Sequence, residues 1–166
     1  MRKIITAIFL ATPLCGCAGM YTETYEGKIK CASYSVQCMD DIGTFYEYGK
    51  GGVAKDYGKA LEWYMKSVDH NESINDPGKK SSYAATHRAF FVGDWIWNGV
   101  GTTDSPEVRT AAAARYWEIG ARNGDYRSII YLAGLHYTGT NPPVINKDIP
   151  KAVSYTHLTL PTIYSV

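Results

Sequence analysis

The chain has 166 residues, enough for one small domain or a short repeat array and too few for several domains. At 45% hydrophobic, 20% charged and 13% aromatic it can build a core, which argues against wholesale disorder. A formal net charge of +1 supplies neither the basic field that nucleic acid calls for nor an acidic tail for a basic partner.

Met1-Arg2-Lys3 gives a positive start, and Ile4 to Leu14 is an apolar stretch broken by Thr6, Thr12 and Pro13. This is the pattern of an export signal, too short to span a bilayer. It ends in Leu14-Cys15-Gly16-Cys17, which resembles the bacterial lipobox. The resemblance implies a signal over residues 1–16, removed on export, and lipid attached to Cys17. Several acyl chains on one residue would give stable membrane anchoring. Ala18 stands where an Asp would resemble an inner-membrane retention signal, so the expected location is the outer membrane, facing the periplasm. Residues 17–34 are expected to form a tether, since Tyr21 to Ser33 shows no clear period. Export permits a disulfide between Cys31 and Cys38. On one helix they would be about 10.5 Å apart along the axis, so a bridge requires Cys31 to fold back from outside it. Two free thiols are the alternative.

The rest of the chain repeats itself. Ile42-Gly43-Thr44-Phe45-Tyr46-Glu47-Tyr48-Gly49 is echoed by Val92-Gly93-Asp94-Trp95-Ile96-Trp97-Asn98-Gly99 and by Leu132-Ala133-Gly134-Leu135-His136-Tyr137-Thr138-Gly139. A second segment follows each: Lys55 to Tyr64, Ala113 to Glu118, and Lys147 to Ala152. One unit is therefore a helix, a turn and a second helix. Gly49, Gly99 and Gly139 sit where the first helix must end in a left-handed residue. Asp56, Ser105 and Asp148 are candidate N-caps, with Pro106 at a first helical position. Gly43, Gly93 and Ala133 have no bulk, so another helix can approach there, with Ala60 and Ala113 as the expected facing partners. The pairs Trp63-Tyr64 and Tyr116-Trp117 should fill the space towards neighbouring helices. Asp69 to Ser82, rich in Asn, Asp, Pro and Gly, reads as a long loop between the first two units.

Gly43 to Tyr64 resembles a Sel1-like repeat of the tetratricopeptide superfamily, and the likeness extends over 35–152, as units of about 35–70, 82–124 and 125–152. It implies an all-α, short α-solenoid of about three helix-turn-helix repeats, the last truncated, used for binding a protein or peptide rather than for catalysis. A closed bundle of the same helices is the competing packing. Within the superfamily the first helix of each unit lines the concave side, and the register sets Phe90 opposite Asp40 and Trp97 opposite Glu47. His87, Phe90, Asp94 and Trp97 share one helix face. Tyr48, Trp97 and Tyr137 could then form an aromatic groove. Burial of Phe90 and Trp97 under the long loop is the competing reading.

Chemistry is sparse. The four histidines form no constellation, and His136 stands where the family has a packing Tyr. No zinc-ligand spacing is present, and Gly49 to Gly52 and Gly99 to Gly101 follow no strand and lack a phosphate-loop ending. Asp40, Asp41, Glu47 and Glu62 read as solvated faces. No catalytic residue, metal or cofactor is expected. A β-lactam-binding or hydrolysing enzyme, like the cysteine-rich relatives, is the alternative. It is opposed by the absence of a Cys pair in each repeat and of Ser-x-x-Lys. The expected partners are an envelope protein or peptide, possible roles being immunity, inhibition or adaptor, and the membrane through the lipid.

Val153 to Thr162 resembles the translation of a transposase sequencing adapter, so residues 153–166 are set aside from fold reasoning. Without the signal and this tail, 15 basic residues face 16 acidic ones, a neutral surface with no steering field.

Overall fold

A computed structural model describes residues 24–74, 83–140 and 144–157. The export signal and Cys17 lie outside them, as do residues 75–82 of the expected loop and residues 158–166 of the tail. Among the described residues all regular structure is helical: α1 (Tyr25–Cys31), α2 (Val36–Tyr48), α3 (Tyr57–Ile74), α4 (Tyr83–Asn98), α5 (Pro106–Arg122), α6 (Tyr126–Thr138) and α7 (Ile149–His157). The pairs α2–α3, α4–α5 and α6–α7 are hairpins, joined through α3 on α4 and α5 on α6.

The turns close as the glycine spacing requires. Gly49 ends α2 at φ 65° and ψ 41°, and its N–H reaches the Phe45 carbonyl. Gly139 also has positive φ, 70°, but its ψ of −178° places it outside the left-handed helical well that the sequence suggested. The first and third hairpins share one lock: Asp56 N–H donates to the Tyr46 carbonyl at 2.9 Å, and Asp148 N–H to the His136 carbonyl at 2.7 Å. Asp56, Ser105 and Asp148 each take an N–H three residues on, at 3.0, 3.5 and 2.9 Å, and so cap α3, α5 and α7. Each cap of this kind contributes about 1 kcal/mol.

Close approach at the small residues holds the hairpins, with Ala113 facing Gly93 as expected and Tyr64 rather than Ala60 facing Gly43. A methyl on Gly43 would overlap the Tyr64 ring, not Ala60. One on Gly93 would meet Trp117 Nε1 at 2.5 Å and the Ala113 carbonyl at 3.1 Å. Ala60, Ala113, Tyr116, Trp117 and Leu132 are all buried in one core that runs through the three hairpins. Trp63 is only half-buried, and packs on a smaller cluster around Cys31, Cys38 and Ile42.

At three segment ends the helices run further than the sequence patterns indicated. The stretch expected to form a tether contains α1, capped by the Thr24 side chain. Its Tyr25 meets Tyr46 edge-on at 5.8 Å, contacts too few for periodicity to reveal in seven residues. Asp69–Ile74, read as loop, continues α3, because Asp69 pairs with Arg115 and Glu72 with Arg122 of α5. Residues 153–157, set aside with the tail, continue α7, and Tyr155 stacks on His136 at 5.8 Å.

Cys31 and Cys38 are joined by a disulfide, with Cα atoms 5.9 Å apart. The bend at Ala32 to Ser35 brings the end of α1 back over the start of α2, the geometry a bridge between positions seven apart requires.

Candidate functional site

The first helices α2, α4 and α6 lie side by side, tied by polar and aromatic contacts. Arg88 of α4 pairs with Asp40 of α2: its Nη2 donates to Oδ2 at 2.7 Å, and its Nε stands 2.6 Å from Oδ1. Asp40 is thus a mostly buried, paired carboxylate, not the solvated acid expected. Burial is the main cause of its raised pKa, and Arg88 pulls the other way. Between α4 and α6, Arg127 lies 4.3 Å above the Phe90 ring, and Tyr131 meets Phe90 edge-on at 5.4 Å.

These contacts sort the expected partner-binding residues. Phe90 is 8% exposed and belongs to the core. Tyr131 and Arg127 of α6 pack on its ring. His87 is half-buried beside Asp125 and Arg127, with Nδ1 3.2 Å from Asp125 Oδ2. Asp125 itself is fully buried, caps α6 through the Ser128 N–H at 3.0 Å, and accepts from Arg127 at 2.7 Å. Burial pushes its pKa up, but Arg127 and Ser128 together outweigh that and hold it below the usual aspartate range. Asp94 is half-buried and accepts from the Asn98 amide. Trp97 leans on Trp117 at 5.7 Å, while Tyr48 and Tyr137 lie exposed beside Lys50 and Lys147. Among the described ring contacts none joins Tyr48, Trp97 and Tyr137 to one another.

A different cleft opens between α2 and α4. Its volume is about 350 Å³, and Thr44, Glu47 and Tyr48 line one wall. Arg88, Phe91 and Trp95 line the other, and Tyr64 of α3 forms the floor. Tyr64 meets Trp95 edge-on at 5.6 Å and carries the Arg88 guanidinium 4.0 Å above its ring. The Tyr64 hydroxyl donates to Glu47 Oε2 at 2.5 Å and lies 3.2 Å from Thr44 Oγ1. Burial first, then this bond to Glu47, raises the Tyr64 pKa, so the phenol stays protonated and donating at physiological pH. Glu47 also raises the Tyr48 phenol through hydrogen bonding. Phe91 and Tyr48 are 44% and 59% exposed, so the aromatic walls are open to solvent.

Sequence reasoning placed Tyr48 in a binding surface but read Glu47 as solvent-facing and Tyr64 as packing only. The cleft was legible in one respect: Thr44, Glu47 and Tyr48 share a helix face, as do Arg88, Phe91 and Trp95. That the two faces oppose each other depends on how α4 packs on α2, which spacing within one helix does not carry.

A second cleft of about 380 Å³ lies between α5 and the α6–α7 turn, with the buried His136 and with Glu118, Asp148 and Lys151 on its walls. Among the described residues no group of three or more His, Cys, Asp or Glu could hold a metal, and no helix is long and apolar enough to cross a membrane.

The family model that describes the Sel1 repeat matches residues 36–71, 89–125 and 127–158, one match for each hairpin. A crystal structure of a Sel1 repeat protein from Oxalobacter formigenes superposes with a TM-score of 0.60 at 19% identity. The match covers 83% of this chain and 49% of that one, so this chain spans about half its relative's length. A protective antigen of uropathogenic Escherichia coli with an SLR fold is aligned over 83% of this chain and 33% of its own, at 17% identity and a TM-score of 0.38. Among curated proteins there is no significant match.

Proposed function

From the premise that the chain belongs to the Sel1 repeat family and is an all-α solenoid, we propose that it is a lipid-anchored envelope protein that binds another polypeptide through its first-helix layer. The observation that carries this reading is the open aromatic cleft between α2 and α4. Tyr, Trp and Arg side chains are enriched in binding hot spots, the cleft is lined by Tyr48, Trp95 and Arg88 with the exposed Phe91, and an array of rigid hairpins holds them in fixed positions. The Cys31–Cys38 bridge supports an oxidising compartment, and with the Leu14 to Cys17 pattern it favours the periplasm. Cys17 would carry the lipid, and Ala18 favours the outer membrane.

Two experiments test the reading. Labelling with a palmitate analogue should mark the protein, and Cys17→Ala should abolish the label and release the protein from membranes. Capture from envelope extract with the full chain should recover a partner lost with Tyr48→Ala or Phe91→Ala. Capture that survives both substitutions would place the binding surface elsewhere.

A further inference from the structure

The two ends of the array are built differently. α2 has α1 against it as α4 has α3 and α6 has α5, so the first hairpin is already covered on the side where a preceding unit would lie. The Cys31–Cys38 bridge and a 2.9 Å bond between the Tyr25 and Tyr46 hydroxyls fix that cover, and Glu26 and Lys30 stand exposed on it. A stacked-repeat protein needs a polar terminal unit of this kind to end in water.

The described residues provide no such cover at the other end. Asp40 of α2 takes Arg88 from the following first helix, and Phe90 of α4 takes Tyr131. Ile130, at the same register position of α6, is 60% exposed. The second helices show the same difference. Leu61 and Ala114, each following a facing alanine, are buried in the shared core. Val153 follows the buried Ala152 in the same way, yet is 47% exposed. Exposed Tyr126, Ile130 and Tyr137 recur at spacings of four and seven on α6, and exposed Ile149 and Val153 lie four apart on α7. Each helix thus carries one exposed apolar stripe with no charged residue in it.

We propose that this end face pairs with the same face of a second copy of the chain, last hairpin against last hairpin about a two-fold axis. Three observations select that occupant. In this 166-residue chain residues 158–166 alone follow α7, too few for the helix, turn and helix of another unit. Stacking of one copy's first hairpin on another's last is blocked, because α1 covers the side of α2 that would make the contact. Stripes without charge can also face their own copies without repulsion, which an isologous contact requires, since a residue near the axis meets itself. Such a contact closes on two chains and cannot grow into a filament. The pairing goes beyond the polypeptide-binding reading and is independent of it: the α2–α4 cleft lies outside the contact, so the pair carries two clefts. Few side chains take part, which sets the dissociation constant on the order of 100 µM. Unfolding measured at about 10 µM therefore reads the separated chain.

Sedimentation equilibrium of the full chain from about 10 µM to about 1 mM tests the pairing. The average mass should rise from one chain and level at two. Ile130→Arg and Val153→Arg each set a charge near its own copy and should each weaken pairing about tenfold or more. Both positions are exposed, so both variants should melt like the parent in dilute samples. Tyr34→Arg, on the exposed bend after α1, and Phe91→Ala, in the cleft, should leave pairing unchanged. A chain that stays single to the top of the concentration range overturns the proposal, as does a mass that climbs past two without levelling. A dimer that tolerates both arginines overturns it as well. Loss of pairing in Tyr34→Arg would place the contact at α1, and loss in Phe91→Ala would place it in the cleft; either result refutes the end-face assignment. The two arginines stand on different helices, so misfolding of one variant leaves the other to decide.

Discussion

Adding one methyl at Gly93 and one at Gly134 should have opposite effects, although both glycines are inside helices. Gly93 lies in α4 with the Trp117 indole and the Ala113 carbonyl pressed against it. A Cβ there would sit 2.5 Å from Trp117 Nε1 and 2.6 Å from Cδ1, about an ångström inside normal contact. Trp117 is fully buried, so it cannot swing into solvent, and the helices must part. Overpacking of this kind costs about 1–3 kcal/mol, and so deep an overlap belongs at the upper end. Alanine's better helix propensity returns about 1 kcal/mol, which leaves Gly93→Ala less stable by about 2 kcal/mol. Gly134 lies in α6, is exposed, and has nothing within 4 Å of the added atom. Gly134→Ala collects only the propensity gain, about 1 kcal/mol. Urea denaturation followed by circular dichroism should separate the two midpoints by the equivalent of about 3 kcal/mol, on either side of the parent. If Gly93→Ala stabilised the protein as Gly134→Ala does, close packing at the small positions would not be what joins the hairpins.

The remaining expectations concern other junctions. Replacing Cys31 and Cys38 together by Ser removes a short closed loop, which the chain-entropy account values at about 2.5 kcal/mol; hydrogen exchange should show loss of protection confined to α1 and the first turn of α2. Asp125→Asn removes the charge that Arg127 and Ser128 favour. Because the folded pKa of Asp125 is lowered, its contribution is complete above the ordinary aspartate pKa and lost as pH falls through the folded value. The stability gap between parent and variant should therefore be full at pH 7 and close in that acidic window, as read from thermal melts at a series of pH values. Phe90→Ala empties a site covered by α6 and should cost about 3–5 kcal/mol, whereas Ile130→Ala, at the matching register of α6 but 60% exposed, should change the unfolding midpoint by less than about 0.5 kcal/mol.

Legibility followed the range of the interactions. The hairpins could be read because their signals are local: Gly49 and Gly99 mark turns, Asp56 and Asp148 mark starts, and Gly43 and Gly93 mark close approach within one unit. Segment ends were harder. Asp69 and Glu72 look like loop residues in sequence, and become helical because Arg115 and Arg122 on α5 hold them. The pairing of Cys31 with Cys38 hung on a backbone bend that no residue in the stretch dictates. The cleft was least legible. Phe90 and Phe91 are adjacent aromatics on one helix, yet the first is buried by α6 and the second opens on the cleft. Which of the two faces solvent is set by the angle at which the next unit docks.

That docking also explains where specificity can reside in such an array. The register position occupied by Asp40 in the first unit is Phe90 in the second and Ile130 in the third. At the first junction the following helix supplies Arg88 and makes a charged pair; at the second it supplies Arg127 and makes a cation–ring contact. An arginine serves both because its flat guanidinium can fork onto a carboxylate or stack on a ring. The backbone packing is thus preserved while the chemistry between units changes. The consequence reaches the cleft. Asp40 accepts from Arg88 Nη2 at 2.7 Å, while Glu47, seven residues further along α2 and two turns away on nearly the same face, accepts from the Tyr64 hydroxyl instead. A phenylalanine at position 40 would free Arg88 to turn towards Glu47, and the two walls of the cleft would then be joined by an ion pair.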